Sequence, residues 1–205
     1  MTKNINMKMR LALLLALLSS GVAVGQTLPV GDKGKVAYTT TLQVPLSKKE
    51  LAANAMQWVA KVAGNPGRCV QQHDTATGKM QLASAEKACS INGTSARVTF
   101  SAAIAYAEGQ CSLTIYDIKS RTFGNCFPVS YTLDVSKNQA LKEARAKLKA
   151  AKSAKEKKEY QQQLATLTRE INDFNALFNR YLDRFKEIMA KKSNAPTPAA
   201  PQPVS

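Results

Sequence analysis

The sequence predicts an α+β fold: a strand, a helix, then an antiparallel meander, packed by the N-terminal helix and by a long C-terminal helix or helical hairpin. Three observations carry this prediction. Residues 97–118 contain two alternating runs meeting at Glu108-Gly109-Gln110. Val98, Phe100, Ala102, Ile104 and Tyr106 share one face and Thr99, Ser101 and Ala103 the other, the period of a half-buried β-hairpin. Ser47-Lys48-Lys49-Glu50 is a capping box ahead of the helically spaced Leu51, Ala55, Trp58, Val59 and Val62. Finally, Leu164, Leu167, Ile171, Phe174, Phe178, Tyr181, Phe185 and Ile188 alternate steps of three and four, so one long helix presents an apolar stripe.

In chain order, Lys3, Lys8 and Arg10 precede the apolar run Leu11 to Leu18, and Ala23-Val24-Gly25 supplies small residues for cleavage before Gln26. Residues 1–25 therefore read as a signal peptide, which places the protein in the periplasm or outside the cell. Residues 26–34 read as a linker. The apolar run is shorter than the roughly 20 residues a membrane span needs. Of the 29 basic residues three lie in this leader, with none of the 14 acidic ones, so its removal takes the net charge from +15 to +12.

Residues 35–135 form the expected sheet domain. Val36, Tyr38, Thr40, Leu42 and Val44 alternate up to Pro45, which cannot donate to a ladder. The capped helix follows, with Leu46 and Leu51 as a hydrophobic staple and Gly64 and Pro66 as its end. Residues 68–73 and 79–88 flank the turn formers Asp74 to Gly78 and make a hairpin; Asn92-Gly93 marks the next turn. The coarse reading is thus one strand, one helix and four meandering strands.

Residues 136–192 form a helical segment expected to cover the sheet. Leu141, Ala144, Leu148 and Ala151 keep helical stepping in a different phase from the stripe after Leu164, and the change falls in Lys152 to Lys158. A hairpin turns there, or a single helix changes its buried face. The spacing also allows a coiled coil, but Phe174, Phe178, Tyr181 and Phe185 are too bulky for a two-stranded seam and favour packing on the sheet. Residues 193–205, rich in proline and alanine, read as a disordered tail.

Cys69, Cys89, Cys111 and Cys126 are disulfide candidates, an even count in an exported chain with no C-x-x-C spacing. Four cysteines allow three connectivities. A meander of matched strands brings Cys69 near Cys89, which is the favoured pair, leaving Cys111 for Cys126 on the far edge.

Chemistry is sparse. The single histidine, His73, stands beside Asp74 without a nucleophile placed by sequence and reads as structural. No nucleophile elbow, zinc-protease motif or phosphate loop occurs, so no catalytic, cofactor-binding or metal-ligating residue is assigned. Asn92-Gly93-Thr94 and Asp74-Thr75-Ala76 are short glycosylation-like triplets.

Positive charge concentrates in the C-terminal segment. Lys142, Arg145, Lys147, Lys149, Lys152, Lys155, Lys157 and Lys158 are the polyanion candidates there.

The order of segments resembles a secreted bacterial family of unknown function. Gly34-Lys35-Val36-Ala37-Tyr38 leading to Val44-Pro45, Ser47 to Leu51 with Trp58, the Asp74 to Lys79 turn, the hairpin over 105–118 and the ending Phe185-Lys186-Glu187-Ile188-Met189 carry the likeness. That family is described as having a fold like the TATA-box-binding protein, so the resemblance implies that fold and an envelope location but no activity. The four cysteines and the lysine-rich insert depart from it.

A fold shared with a DNA-binding protein does not imply DNA binding. The residues expected on the open sheet face, Thr99, Ser101, Thr114 and Tyr116, carry few charges, and nucleic acid is disfavoured as a partner. The expected function is a non-enzymatic envelope module engaging a protein or a glycan. The alternatives are a polyanion binder using the basic helix against lipopolysaccharide, anionic lipid or nucleic acid, with peripheral contact to an anionic membrane surface, and an enzyme of unrecognised type.

Overall fold

The structure is a computed structural model that describes residues 27–31, 34–63, 65–123 and 128–192. The expected leader and tail lie outside the described residues. In order, the elements are β1 (Tyr38–Gln43), α1 (Lys48–Ala63), α2 (Pro66–Cys69), β2 (Val70–Asp74), β3 (Lys79–Ile91), β4 (Thr94–Ala107), β5 (Gln110–Phe123), β6 (Pro128–Thr132), α3 (Ser136–Ala150) and α4 (Ala154–Met189). The sheet runs β1-β5-β4-β3-β2 with every pairing antiparallel, and β6 also pairs with β5. This is the expected α+β meander, with one strand more than the sequence indicated. β1 takes residues 110–115 of β5 and β6 takes residues 119–123, so the two short strands share β5 end to end. β6 begins at Pro128, a residue that argues against a strand interior and is tolerated at the start of an edge strand.

Local chemistry explains the joints. The Ser47 N–H donates to the Glu50 carboxylate at 2.9 Å and the Glu50 N–H donates to the Ser47 hydroxyl at 3.3 Å, closing the capping box while Leu46 and Leu51 are buried around it. Those Ser47 bonds hold the Glu50 carboxyl below its ordinary range. In the β2–β3 turn, Asp74 accepts the N–H groups of Ala76 and Thr77 at 2.9 and 3.1 Å. Gly78 follows at φ +71, where an added Cβ would stand 1.9 Å from the Tyr106 carbonyl oxygen. No other residue fits there without moving the backbone.

Two strands carry an extra residue beside the middle of β4. The β3–β4 register shifts between Leu82 and Ala85, where Ser84 has φ 54, and the β4–β5 register shifts opposite Thr99 to Ser101, where Asp117 has φ 49. Each bulge changes the alternation: Met80 and Leu82 are buried before the first and Ala85 after it, Leu113 and Ile115 before the second and Ile118 after it.

One face of the sheet is covered by α1 and the C-terminal half of α4. Phe178 stacks on Tyr38 at 4.8 Å between ring centroids and meets Phe100 edge-on at 5.8 Å; Phe185 meets Trp58 at 5.8 Å and Phe174 meets Tyr131 at 6.5 Å. The Trp58 indole N–H donates to the Tyr181 carbonyl at 3.1 Å. The aromatic stripe therefore packs on the sheet, each fully buried ring contributing roughly 1.5–3 kcal/mol of transfer free energy.

The C-terminal segment is a helical hairpin. α3 ends at Ala150, and Ser153 caps α4 by accepting the Glu156 N–H at 3.1 Å while the Ser153 N–H donates to the Glu156 carboxylate at 3.0 Å. Ser153-Ala154-Lys155-Glu156 is a second capping box, carried by the sequence inside its lysine-rich stretch. Only from Glu170 onward is α4 buried. Its first half lies along α3 rather than on the sheet, and the two form an arm that departs from the expectation that the whole segment covers strands. At the arm's base Glu170 accepts a hydrogen bond from the Tyr131 hydroxyl and an ion pair from Lys137 at 2.8 Å, with the Lys137 ammonium 4.5 Å from the centre of the Tyr131 ring.

Residues 27–31, expected to be linker, are docked. Leu28 is buried and clasped by the Asn138 amide, which accepts its N–H at 2.7 Å and donates to its carbonyl at 2.9 Å. Asn175 donates to the Thr27 carbonyl at 3.1 Å and accepts from the Tyr38 hydroxyl at 2.8 Å.

The favoured Cys69–Cys89 disulfide is not formed. Cys69, Cys89 and Cys111 are free. β2 is only five residues long and Val70 pairs with Leu82, so Cys89 lies seven residues further along β3, roughly 20 Å away. Matched strand lengths had been the premise of the Cys69–Cys89 pair. Cys69 is instead buried, its thiol donating to the Asn65 carbonyl at 3.4 Å. Cys111 lies on an internal strand rather than at an edge. Cys126 is outside the described residues, and the residues flanking it, Phe123 and Pro128, pair at the opposite end of β5 from Cys111.

Candidate functional site

Among the described residues one face of the sheet is left uncovered, and it carries a set of polar side chains. On β4, Arg97, Thr99, Ser101 and Ala103 point away from the helices, since their neighbours Val98, Phe100 and Ala102 are buried. The β5 partners are Arg121 opposite Arg97, Lys119 opposite Thr99, Tyr116 opposite Ser101 and Thr114 opposite Ala103. The sequence reading placed Thr114 and Tyr116 on this face correctly. Strict alternation from those two would send Lys119 and Arg121 inward. The extra residue at Asp117 reverses the phase and brings both cations outward. The open face is therefore more basic than expected, and no pattern in the sequence marks the reversal, because Asp117 is neither glycine nor asparagine.

Beyond the bulge the face becomes a charged cluster. Arg97 pairs with Glu86 at 3.1 Å, both side chains at least half exposed. The guanidinium carbons of Arg97 and Arg121 lie 5.8 and 5.6 Å from the centre of the Phe123 ring, and that ring is 41% exposed. Two contiguous depressions run over this region. One of about 510 Å³ is bordered by Glu86, Arg97 and Arg121; the other, of about 360 Å³, is bordered by the bulge residues Ser84 and Asp117 with Ser101; Thr99, Lys119 and Thr132 border both. Nearer β1 the face is a row of hydroxyls, with Thr39 and Thr114 bonded to each other at 3.3 Å.

The polyanion candidates lie elsewhere, along the arm and at its turn. Lys142, Lys147 and Lys149 are exposed along α3 and Arg145 is half-buried; Lys152 lies in the turn, and Lys155, Lys157 and Lys158 are exposed at the start of α4. The last three stand at the positive end of the α4 dipole, where lysine opposes helix stability, while Lys147 and Lys149 at the end of α3 suit theirs.

His73 is not part of either region. Its Nε2 lies 2.9 Å from the Tyr106 hydroxyl, tying β2 to β4, and burial pushes the imidazole below its ordinary value and the Tyr106 phenol above its own. Asn92 of the glycosylation-like triplet has its side-chain oxygen buried and its N–H donated to Asp173 at 2.7 Å, so its amide is turned inward. Thr75 of the other triplet is exposed.

No protein-family model matches the chain, and no curated protein matches it. Among solved structures it is similar to a DUF4468 family protein from Bacteroides ovatus ATCC 8483, at 18% identity and a TM-score of 0.53, over 85% of this chain and 95% of that one. It is also similar to a TBP-like protein from Parabacteroides distasonis ATCC 8503, at 13% identity and a TM-score of 0.50, over 77% of this chain and 96% of that one. These likenesses agree with the family resemblance read from the sequence and establish the TATA-box-binding-protein-like fold. They assign no activity.

Proposed function

We propose that the protein is a non-enzymatic module of the cell envelope whose open sheet face binds an anionic glycan. The observation that carries this reading is the placement of Arg97, Lys119 and Arg121 around an exposed Phe123 on an uncovered face, continuous with a row of threonine and serine hydroxyls. Sugar rings stack on aromatic faces, hydroxyl rows match their hydroxyls, and three cations answer carboxylate or sulfate groups along a chain. The two depressions share Thr99, Lys119 and Thr132 and so run on from one another, which suits an extended polymer.

Calorimetric titration of residues 26–205 with a uronic-acid polysaccharide, against a neutral polysaccharide of equal length, tests this directly. Binding of the acidic polymer alone, weakened about tenfold or more by combined Arg97→Ala, Lys119→Ala and Arg121→Ala and falling with added salt, is the expected result. Unchanged affinity in the triple variant would remove the open face as the site.

A second reading, a polyanion surface at the arm, is favoured by the lysines that crowd the α4 N-terminus against its dipole. Its partner is an anionic lipid surface. Lys152→Glu, Lys155→Glu and Lys158→Glu together would abolish sedimentation with anionic vesicles under this reading and leave glycan binding by the open face intact.

A further inference from the structure

On the helix-covered side of the sheet, a third polar concavity lies where β3 outruns β2. Because β2 pairs only as far as Leu82, the second half of β3 has no strand on that side among the described residues, and a groove of about 480 Å³ opens between it, the end of α1 and one face of α4. Four cations from three elements border it: Lys61 from α1, Lys87 from β3, and Arg180 and Arg184 one turn apart on α4. Lys61, Lys87 and Arg184 make no ion pair among the described residues. The bordering acid is Asp173, which already accepts the Asn92 N–H at 2.7 Å.

A second observation points to a ligand. Tyr181 is 9% exposed and borders this groove, yet its buried hydroxyl has no hydrogen-bond partner among the described residues. Its ring is fixed by Phe100 and Phe178 at 5.7 Å each, so the hydroxyl cannot swing elsewhere for a partner. Buried polar groups are almost always paired, and an orphan beside free cations marks a position where an acceptor is missing. Cys89, Arg180 and Tyr181 all border the groove and stand close enough together to influence one another's ionisation, which gathers the three groups at one end of it. Burial pushes the tyrosine ionisation up to about 12, so this hydroxyl is a donor across the ordinary pH range.

We infer that this groove is a binding site for a phosphate group, with Arg180, Arg184, Lys61 and Lys87 neutralising it and the Tyr181 hydroxyl donating to one of its oxygens. Val62, Ala88 and Leu177 give the groove an apolar flank, which accommodates the carbon portion of a phosphomonoester or a phospholipid headgroup. The site is on the opposite side of the sheet from the open face and does not rest on the glycan reading.

The test is thermal unfolding of residues 26–205 in rising inorganic phosphate at constant ionic strength, repeated with glycerol phosphate. A saturating rise in the midpoint is expected, as is slower alkylation of Cys89 by iodoacetamide, read by mass spectrometry at that residue. Arg180→Gln with Lys87→Gln weakens the half-saturating concentration about tenfold or more. Tyr181→Phe keeps the ring contacts and the fold but weakens phosphate binding several-fold, whereas a purely structural tyrosine would leave it unchanged.

Anionic phospholipid vesicles distinguish the sources. Sedimentation lost in the same variants assigns a lipid headgroup, and binding of the soluble monoester alone assigns a solute. No saturable rise, or equal rises in wild type, Tyr181→Phe and Arg180→Gln with Lys87→Gln, would overturn the inference. So would an equal loss in the Arg97, Lys119 and Arg121 variant, because it would show general charge rather than this groove.

Discussion

The two halves of α4 obey one periodicity and meet different surroundings. After Glu170 the stripe runs through Ile171, Phe174, Phe178, Tyr181, Phe185 and Ile188, all buried; before it the stripe is Leu164 and Leu167, only half-buried, with lysines and glutamines ahead of them and threonines beside them. Periodicity tells which face of a helix turns inward. Residue size tells what it turns toward: large aromatic rings fill the wide space over a twisted sheet, while leucine and alanine fit the narrow seam between two helices. The same contrast separates α1, whose Trp58 reaches the sheet, from α3, where only Leu141 and Ala144 are fully buried.

Four measurements break or sharpen this contrast, beginning with the largest. Phe178→Ala, at the meeting point of Tyr38, Phe100 and Tyr181, is expected to lower unfolding free energy by about 3–5 kcal/mol in urea, and Leu164→Ala by less than about 1–1.5. Equal losses would mean that the arm is as integral as the sheet-packed half. Glu170→Gln tests the boundary itself. It removes the charge facing Lys137 while retaining an acceptor for Tyr131, and a loss of about 1–3 kcal/mol is expected, with faster amide exchange in α3 and unchanged exchange in β4. Faster exchange in β4 as well would deny the arm its independence.

Ser153→Ala is expected to cost about 1 kcal/mol, read as fraying of the first turns of α4 by amide exchange, since one capping acceptor disappears. Smallest is the combined Lys152→Gln, Lys155→Gln and Lys158→Gln change, expected to move stability by no more than about 0.5 kcal/mol in either direction, with any gain reflecting relief of charge at the helix start. A large loss would show that these lysines are structural and would weaken the polyanion reading of the arm.

The central hairpin was legible because its apolar residues alternate without interruption from Val98 to Tyr106, and α1 because Ser47 and Glu50 announce its start. The Asp74 to Gly78 turn was legible for the same reason, as each residue type there has a local purpose. The bulges were not. Ser84 and Asp117 adopt positive φ because two long strands must bend together around β4, a requirement set by neighbours distant in sequence. With them went the true composition of the open face, since Lys119 and Arg121 change sides at Asp117.

The cysteine pairing misled for a related reason. It depends on where strands end, and β2 stops after five residues while β3 continues for thirteen. Ser153 differs again: its capping box stood in the sequence, surrounded by lysines that drew attention to charge rather than to the turn. The groove beside β3 draws cations from α1, β3 and α4, so only the assembled fold could bring them together.

The clasp on Leu28 imposes an order on biosynthesis. The residues that receive it, Asn138 and Asn175, lie 110 and more positions downstream of the carbonyls and N–H they hold. A ribosome delivers the first strand long before its seat exists, and β1 must wait for the last helix before Tyr38 can find Asn175. Contacts between the two ends of a chain are the slowest to search for, so the closing step of folding belongs to the C-terminal hairpin, and a chain cut short within α4 would leave its own beginning unmoored.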